Sequence, residues 1–392
     1  MREYDVVVVG AGINGCGVAQ AAAAAGYSVL VLEQTGLAAG TSSKSSKLVH
    51  GGLRYLETFQ FSLVRESLRE RALLLRLAPE LVQLQHFRVP LYAGGRRGPL
   101  TLRAGLLLYY WLSGRRPEAR FTALARRDWS ADGLRTEGLR AVFRYTDART
   151  DDAALTRAVM RSAESLGAEL VVPARVTAID LTDSGAHVHY RWSGAELTCR
   201  ARIVINAAGP WVGRVMDTVT PAVPPLQADL VQGTHIEVAA DRPGGDFYYV
   251  ESPDDGRAVF VMPRSGRLII GTTETPYAGD PGAAKPLPAE QQYLLDVASH
   301  YFPALAAVGT VDLLDSWTGL RVLPAGTGRA FSRSREAVFH PDRPDKPRMI
   351  SLFGGKLTTY RATAAQMLER MAPALPARRA RAATDELPLT PA

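Results

Sequence analysis

With 392 residues, 46% of them hydrophobic and 22% charged, the chain has the composition of a globular protein that can bury a sizeable core, which excludes disordered and fibrous classes. A formal net charge of +7 admits an anionic partner, but the arginines are spread along the chain with no basic block, which argues against nucleic acid. Cys16 and Cys199 have neither metal-ligand nor redox spacing, so no metal site and no disulfide framework is expected, and a reducing cytosol fits best.

Residues 4–10 (YDVVVVG) read as a buried parallel strand, β-branched and ending on glycine. The alanine-rich run 13–26 reads as a helix and 27–33 (YSVLVLE) as a second buried strand, which makes one right-handed β-α-β unit. The chain enters that first strand directly, without the basic and apolar segments of a secretory leader. No apolar run approaches the roughly 20 residues of a membrane span. A serine-rich loop follows at 38–47, then an amphipathic helix over 63–77 that stops near Pro79. Residues 88–144 look irregular, although 102–111 (LRAGLLLYYW), flanked by arginines, could be either a core helix or one lying in a bilayer interface. A helix is expected over 151–166 and a buried strand over 201–207, closed by Ala208, Gly209 and Pro210. Residues 226–273 alternate as a half-buried antiparallel sheet does. A strand at 349–353, Gly354-Gly355 and a helix over 357–371 close the organised part, leaving 376–392 as a loosely ordered tail.

This order implies an α/β fold. A Rossmann-like cofactor domain is built from 1–85, 145–215 and 340–375, and an antiparallel-sheet substrate domain from 86–144 and 216–339 is inserted into it.

Gly10, Gly12 and Gly15 form G-x-G-x-x-G where strand becomes helix, and Glu33 ends the next strand about 20 residues on. The glycines give a tight turn, close backbone approach to a pyrophosphate and close helix packing, while the acid suits a ribose hydroxyl. The helix N-terminus offers free N–H groups, with Ile13 and Asn14 among the first residues. Two further glycine turns, at 206–210 and 354–355, favour FAD over a nicotinamide nucleotide, because the long flavin needs support from remote parts of the chain. The helix after the second turn could stabilise negative charge on a reduced flavin.

The strings TSSKSSKLVHGGLRYLE (41–57), NAAGPWV (206–212), IIGTTE (269–274) and LFGGKLTTYR (352–361) together resemble FAD-dependent glycerol-3-phosphate dehydrogenases, within the superfamily of glycine and D-amino-acid oxidases. The resemblance covers about residues 1–370. It implies hydride transfer from C2 of sn-glycerol 3-phosphate to flavin N5, giving dihydroxyacetone phosphate, with electrons passed to quinone or dioxygen. It also implies substrate contacts from Arg54, Tyr55, Arg321, Arg335 and Lys356, and a proton acceptor in His235 or His50. Thr41, Ser42, Ser46, Lys47, Leu48, His50, Gly51, Val176, Ala208, Gly209, Trp211, Gly354, Gly355, Lys356, Leu357 and Thr358 would complete the cofactor site. Family members extend beyond a linker similar to TDELPLTPA (384–392) into a helical domain. An amine or amino-acid oxidase, or a non-catalytic flavin-binding protein, are the rival readings. A cytoplasmic protein is expected, with peripheral membrane contact, acceptor and oligomeric state left open.

Overall fold

The computed structural model describes residues 1–129, 133–239, 245–325 and 336–391. Two sheets organise them. The first has a parallel core in the order Met349–Phe353, Ala195–Asn206, Arg2–Val9, Val29–Leu32 and Glu169–Val171. Val6, Val7 and Val8 lie at its centre with no exposed surface, because helices or antiparallel strands cover both faces. Helix α1 (Ile13–Ala24) packs between other helices and is buried nearly all round, which is why its sequence is alanine-rich rather than amphipathic.

Helix α2 (Phe61–Leu77) turns an apolar face, including Val64, Leu68 and Leu74, inwards. Residues 88–144 differ from expectation. Strands Val82–Tyr92 and Leu139–Thr150 form a long antiparallel pair, and helix α3 (Pro99–Leu112) connects them. Arg88 and Arg144 stand directly opposite each other across the pair. Arg88 and Arg144 share the Asp246 carboxylate at 2.8 and 3.1 Å. On α3, Leu102, Leu106 and Tyr109 are buried in the core while Leu100, Leu107, Leu108 and Trp111 face solvent.

Helix α4 (Asp152–Ser165) is capped by Asp151, whose carboxylate accepts from Ala154 N at 2.8 Å. The short helix α5 (Val212–Met216) follows the 206–211 turn. The second sheet runs in the order Thr275–Tyr277, Ala228–Ala239, Arg267–Gly271, Ala258–Arg264, Phe247–Glu251, Val82–Tyr92, Leu139–Thr150 and Leu48–Val49, with Leu313–Pro324 also paired to Ala228–Ala239. Helix α6 (Pro288–Tyr301) covers one face of it, and α2 and α3 contribute to the core on the other. Helix α7 (Tyr360–Met371) begins three residues later than expected.

The tail is not loose. Arg381 N donates to Ala24 O and Leu389 N to Leu77 O, both at 2.7 Å. Arg378 reaches the Asp5 carboxylate, and Leu389 is buried in the same core as α1 and α4. It has no repeating polar-apolar pattern to announce this, because it is held one contact at a time.

Candidate functional site

One cavity of about 660 Å³ runs between the two sheets and is lined by both. At one end lies the strand-turn-helix of residues 9–14. Gly10 has φ +101°, and a Cβ on Gly15 would stand 2.0 Å from Gly10 O, so the turn closes only with glycine at these places. Glu33 accepts from Ala11 N at 2.8 Å and Thr35 N at 2.8 Å, which fixes a buried carboxylate beside the turn. Ser42 Oγ accepts from Ile13 N at 2.8 Å, so the serine-rich loop folds over the start of α1. Asn14 Nδ2 donates to Gly354 O at 3.2 Å and joins the first glycine turn to the last. Asn206 holds the middle turn: Nδ2 donates to Val212 O at 2.9 Å and Oδ1 accepts from Ala208 N at 3.3 Å. Val176, Ala208, Gly209, Trp211, Gly354, Gly355, Leu357 and Thr358 line the same space.

At the other end charges converge. Arg54 and Arg321 both face Glu274, with Nη1 at 4.0 and 3.6 Å from its Oε1. Arg321 also donates to Thr273 O at 3.4 Å and to Thr272 Oγ1 at 3.2 Å. Lys356 Nζ lies 4.0 Å from the centroid of the Tyr55 ring, and the Arg54 guanidinium lies 5.0 Å from it. His235 is buried, stacked on Trp317 at 5.4 Å, and its Nε2 meets Ser46 Oγ at 2.8 Å. Burial, with Arg321 and Lys47 nearby, pushes the His235 pKa down to about 3, so the ring is neutral near pH 7. His50 lines the cavity too, its backbone N donating to Thr358 Oγ1 at 3.2 Å.

Residues 5–361 match the family model described as FAD dependent oxidoreductase. The chain belongs to that family. Among curated relatives of this FAD-dependent oxidoreductase, it is 38% identical to the glycerol-3-phosphate dehydrogenase of Pseudomonas aeruginosa, with 94% of the chain and 72% of that protein covered. It is 35% identical to the aerobic glycerol-3-phosphate dehydrogenase of Escherichia coli (95% and 74% covered) and 36% identical to the D-erythritol 1-phosphate dehydrogenase of Brucella abortus (94% and 73% covered). A solved structure of the Bacillus halodurans glycerol-3-phosphate dehydrogenase complexed with FAD superposes with a TM-score of 0.75 at 27% identity, covering 99% of this chain and 68% of that one.

The first end of the cavity fits the FAD pyrophosphate. Gly12 opens the approach to the start of α1, and Asn14 Oδ1 is buried without a hydrogen-bond partner among the described residues. Three expected cofactor residues do not line the cavity. Gly15 packs the helix against the strand. Lys47 turns away to Asp152, Nζ to Oδ1 2.7 Å, and pins the serine-rich loop to α4. Gly51 N donates to Asp147 Oδ1 at 3.2 Å, and a Cβ there would strike Tyr109 and Leu68. Arg335 lies outside the described residues. Glu274, Thr272, Tyr249, Arg257 and Phe260 line the cavity without having been singled out. For Glu274 a signal existed, since it closes the IIGTTE string.

Proposed function

We propose that this oxidoreductase oxidises sn-glycerol 3-phosphate to dihydroxyacetone phosphate. The observation that carries the reading is the convergence of Arg54, Arg321 and Lys356 on one cavity that continues into the glycine-turn end. Cations so placed match a phosphate dianion and a developing alkoxide. When bound, FAD supplies the hydride acceptor. The arginines hold the phosphate, and Lys356 beside Tyr55 orients the C2 oxygen. The hydroxyl proton passes to His235 or His50; His235 is unprotonated near pH 7, and the burial and cations that keep it so also make it a weak acceptor. The names of the Pseudomonas and Escherichia relatives support the substrate.

A second polyol phosphate deserves a place beside the first, because the Brucella relative named for D-erythritol 1-phosphate is nearly as similar. An amino-acid oxidase is disfavoured, since its zwitterionic substrate would leave part of this positive charge unanswered. Anaerobic bleaching of the FAD-loaded protein tests all three. Glycerol 3-phosphate should bleach it fastest, and bleaching only by D-erythritol 1-phosphate, or by glycine or D-alanine, would replace the reading.

Electrons then leave to quinone or dioxygen. The solvent-facing Leu100, Leu107, Leu108 and Trp111 of α3 support a membrane-surface placement, hence a quinone. Among the described residues no helix is long and apolar enough to cross a membrane. Flotation with anionic vesicles at low salt should carry the protein upward, and Trp111→Ala should reduce this; absence of binding would leave the acceptor to be sought in solution.

A further inference from the structure

Glu290, the third residue of α6, is 5% exposed and lines no part of the cavity, yet it receives five hydrogen bonds. Its Oε2 accepts from Gln232 Nε2 at 2.7 Å, Thr234 Oγ1 at 2.6 Å and Leu287 N at 3.1 Å. Its Oε1 accepts from Thr273 Oγ1 at 2.9 Å and Thr275 Oγ1 at 2.6 Å. Only the Leu287 bond caps α6. The other four come from the two strand segments that carry the chemistry. Thr234 precedes His235, while Thr273 stands between Thr272 and Glu274, the partners of Arg321. The two segments also bond each other, Thr234 N donating to Thr273 Oγ1 at 2.8 Å and Thr273 N to Thr234 O at 3.2 Å.

We propose that Glu290 is a positioning residue: it fixes the Thr272–Glu274 segment against the His235 strand and so sets where Arg321 and Glu274 stand. Hydrogen bonds from Thr234, Thr275 and Gln232 outweigh burial and keep its pKa below the usual glutamate value, so it serves as an anion with acceptor capacity at both oxygens. A neutral amide of the same shape cannot do this. In Glu290→Gln the oxygen can keep Gln232, Thr234 and Leu287, but the NH₂ then faces two hydroxyls that had been donating. Thr273 Oγ1, already accepting from Thr234 N, loses its own acceptor. The substitution therefore spares the helix cap and loosens the segment that holds Arg321.

The proposal rests on the glycerol-phosphate reading of the cavity, and the experiment separates the two. FAD-loaded wild type, E290Q and V297A, which loosens the buried side of α6 without touching these bonds, are compared by anaerobic flavin reduction against glycerol 3-phosphate. Thermal unfolding and the flavin difference spectrum with inorganic phosphate are recorded alongside. E290Q should keep its FAD, raise the apparent Kd for glycerol 3-phosphate and for phosphate roughly 10- to 100-fold, and change the limiting reduction rate far less. V297A should unfold at least as early yet bind both like wild type. Wild-type binding by E290Q, or an equal rise in V297A, overturns the positioning role. If glycerol 3-phosphate fails to reduce wild type, the substrate reading falls, and the phosphate titration still decides for or against Glu290.

Discussion

The two ends of the cavity are made in different ways. The pyrophosphate end is a backbone surface whose chain turns within six residues, from Gly10 to Gly15, and whose shape depends on missing side chains. The charged end is a side-chain surface drawn from Arg54, His235, Glu274, Arg321 and Lys356, distant parts of the chain of which His235 and Arg321 meet through the pairing of their strands. A backbone site can be lost to a single added methyl. A side-chain site loses function by degrees, because each charge is one of several and each is set by neighbours behind it.

Four measurements sharpen or break this contrast. Gly15→Ala should have the largest effect, since its Cβ would lie 2.0 Å from Gly10 O; purified protein should contain no FAD, and normal flavin content would show that the turn yields. Arg321→Ala should retain FAD but lower kcat/KM for flavin reduction by glycerol 3-phosphate by roughly 10²- to 10³-fold. Loss of flavin in that variant would mean that the two ends are not separable. Leu389→Ala, which empties a buried place beside α1 and α4, should cost about 2–3 kcal/mol in urea unfolding with little change in the reduction rate.

The smallest effect concerns acid. His235 has a folded pKa of about 3 and an unfolded value near 6.5, so the unfolded chain binds the extra proton between those limits. Its contribution is therefore fully present above about pH 6.5 and is lost as pH falls towards 3, by roughly 2 kcal/mol at pH 5. His235→Gln should lose that much less stability than wild type between pH 7 and pH 5. Parallel curves would mean that the ring is protonated in the fold.

The backbone end was legible because its signals are local: valines, glycines at fixed offsets, alanines, then an acid. Boundaries moved by only two or three residues, as for α1 and the strand after it. The paired strands Val82–Tyr92 and Leu139–Thr150 were missed because their charged positions, such as Arg88 and Arg144, find a partner in Asp246, far away in sequence. Glu290 and Asp147 were invisible for the same reason. A buried carboxylate satisfied by remote donors has no periodicity of its own. Lys47 shows the opposite error: it lies inside a telling motif, but its ammonium serves the loop's anchorage to Asp152.

The docked tail bears on the order in which the molecule can assemble. The sheet that residue 2 opens is completed by Met349–Phe353, and the core beside it by Leu389. During synthesis, strand Arg2–Val9 therefore waits for packing partners made much later, while the antiparallel sheet can close from strands made in between. The glycine turn at 354–355, which meets Asn14, is among the last parts of the cavity to be made.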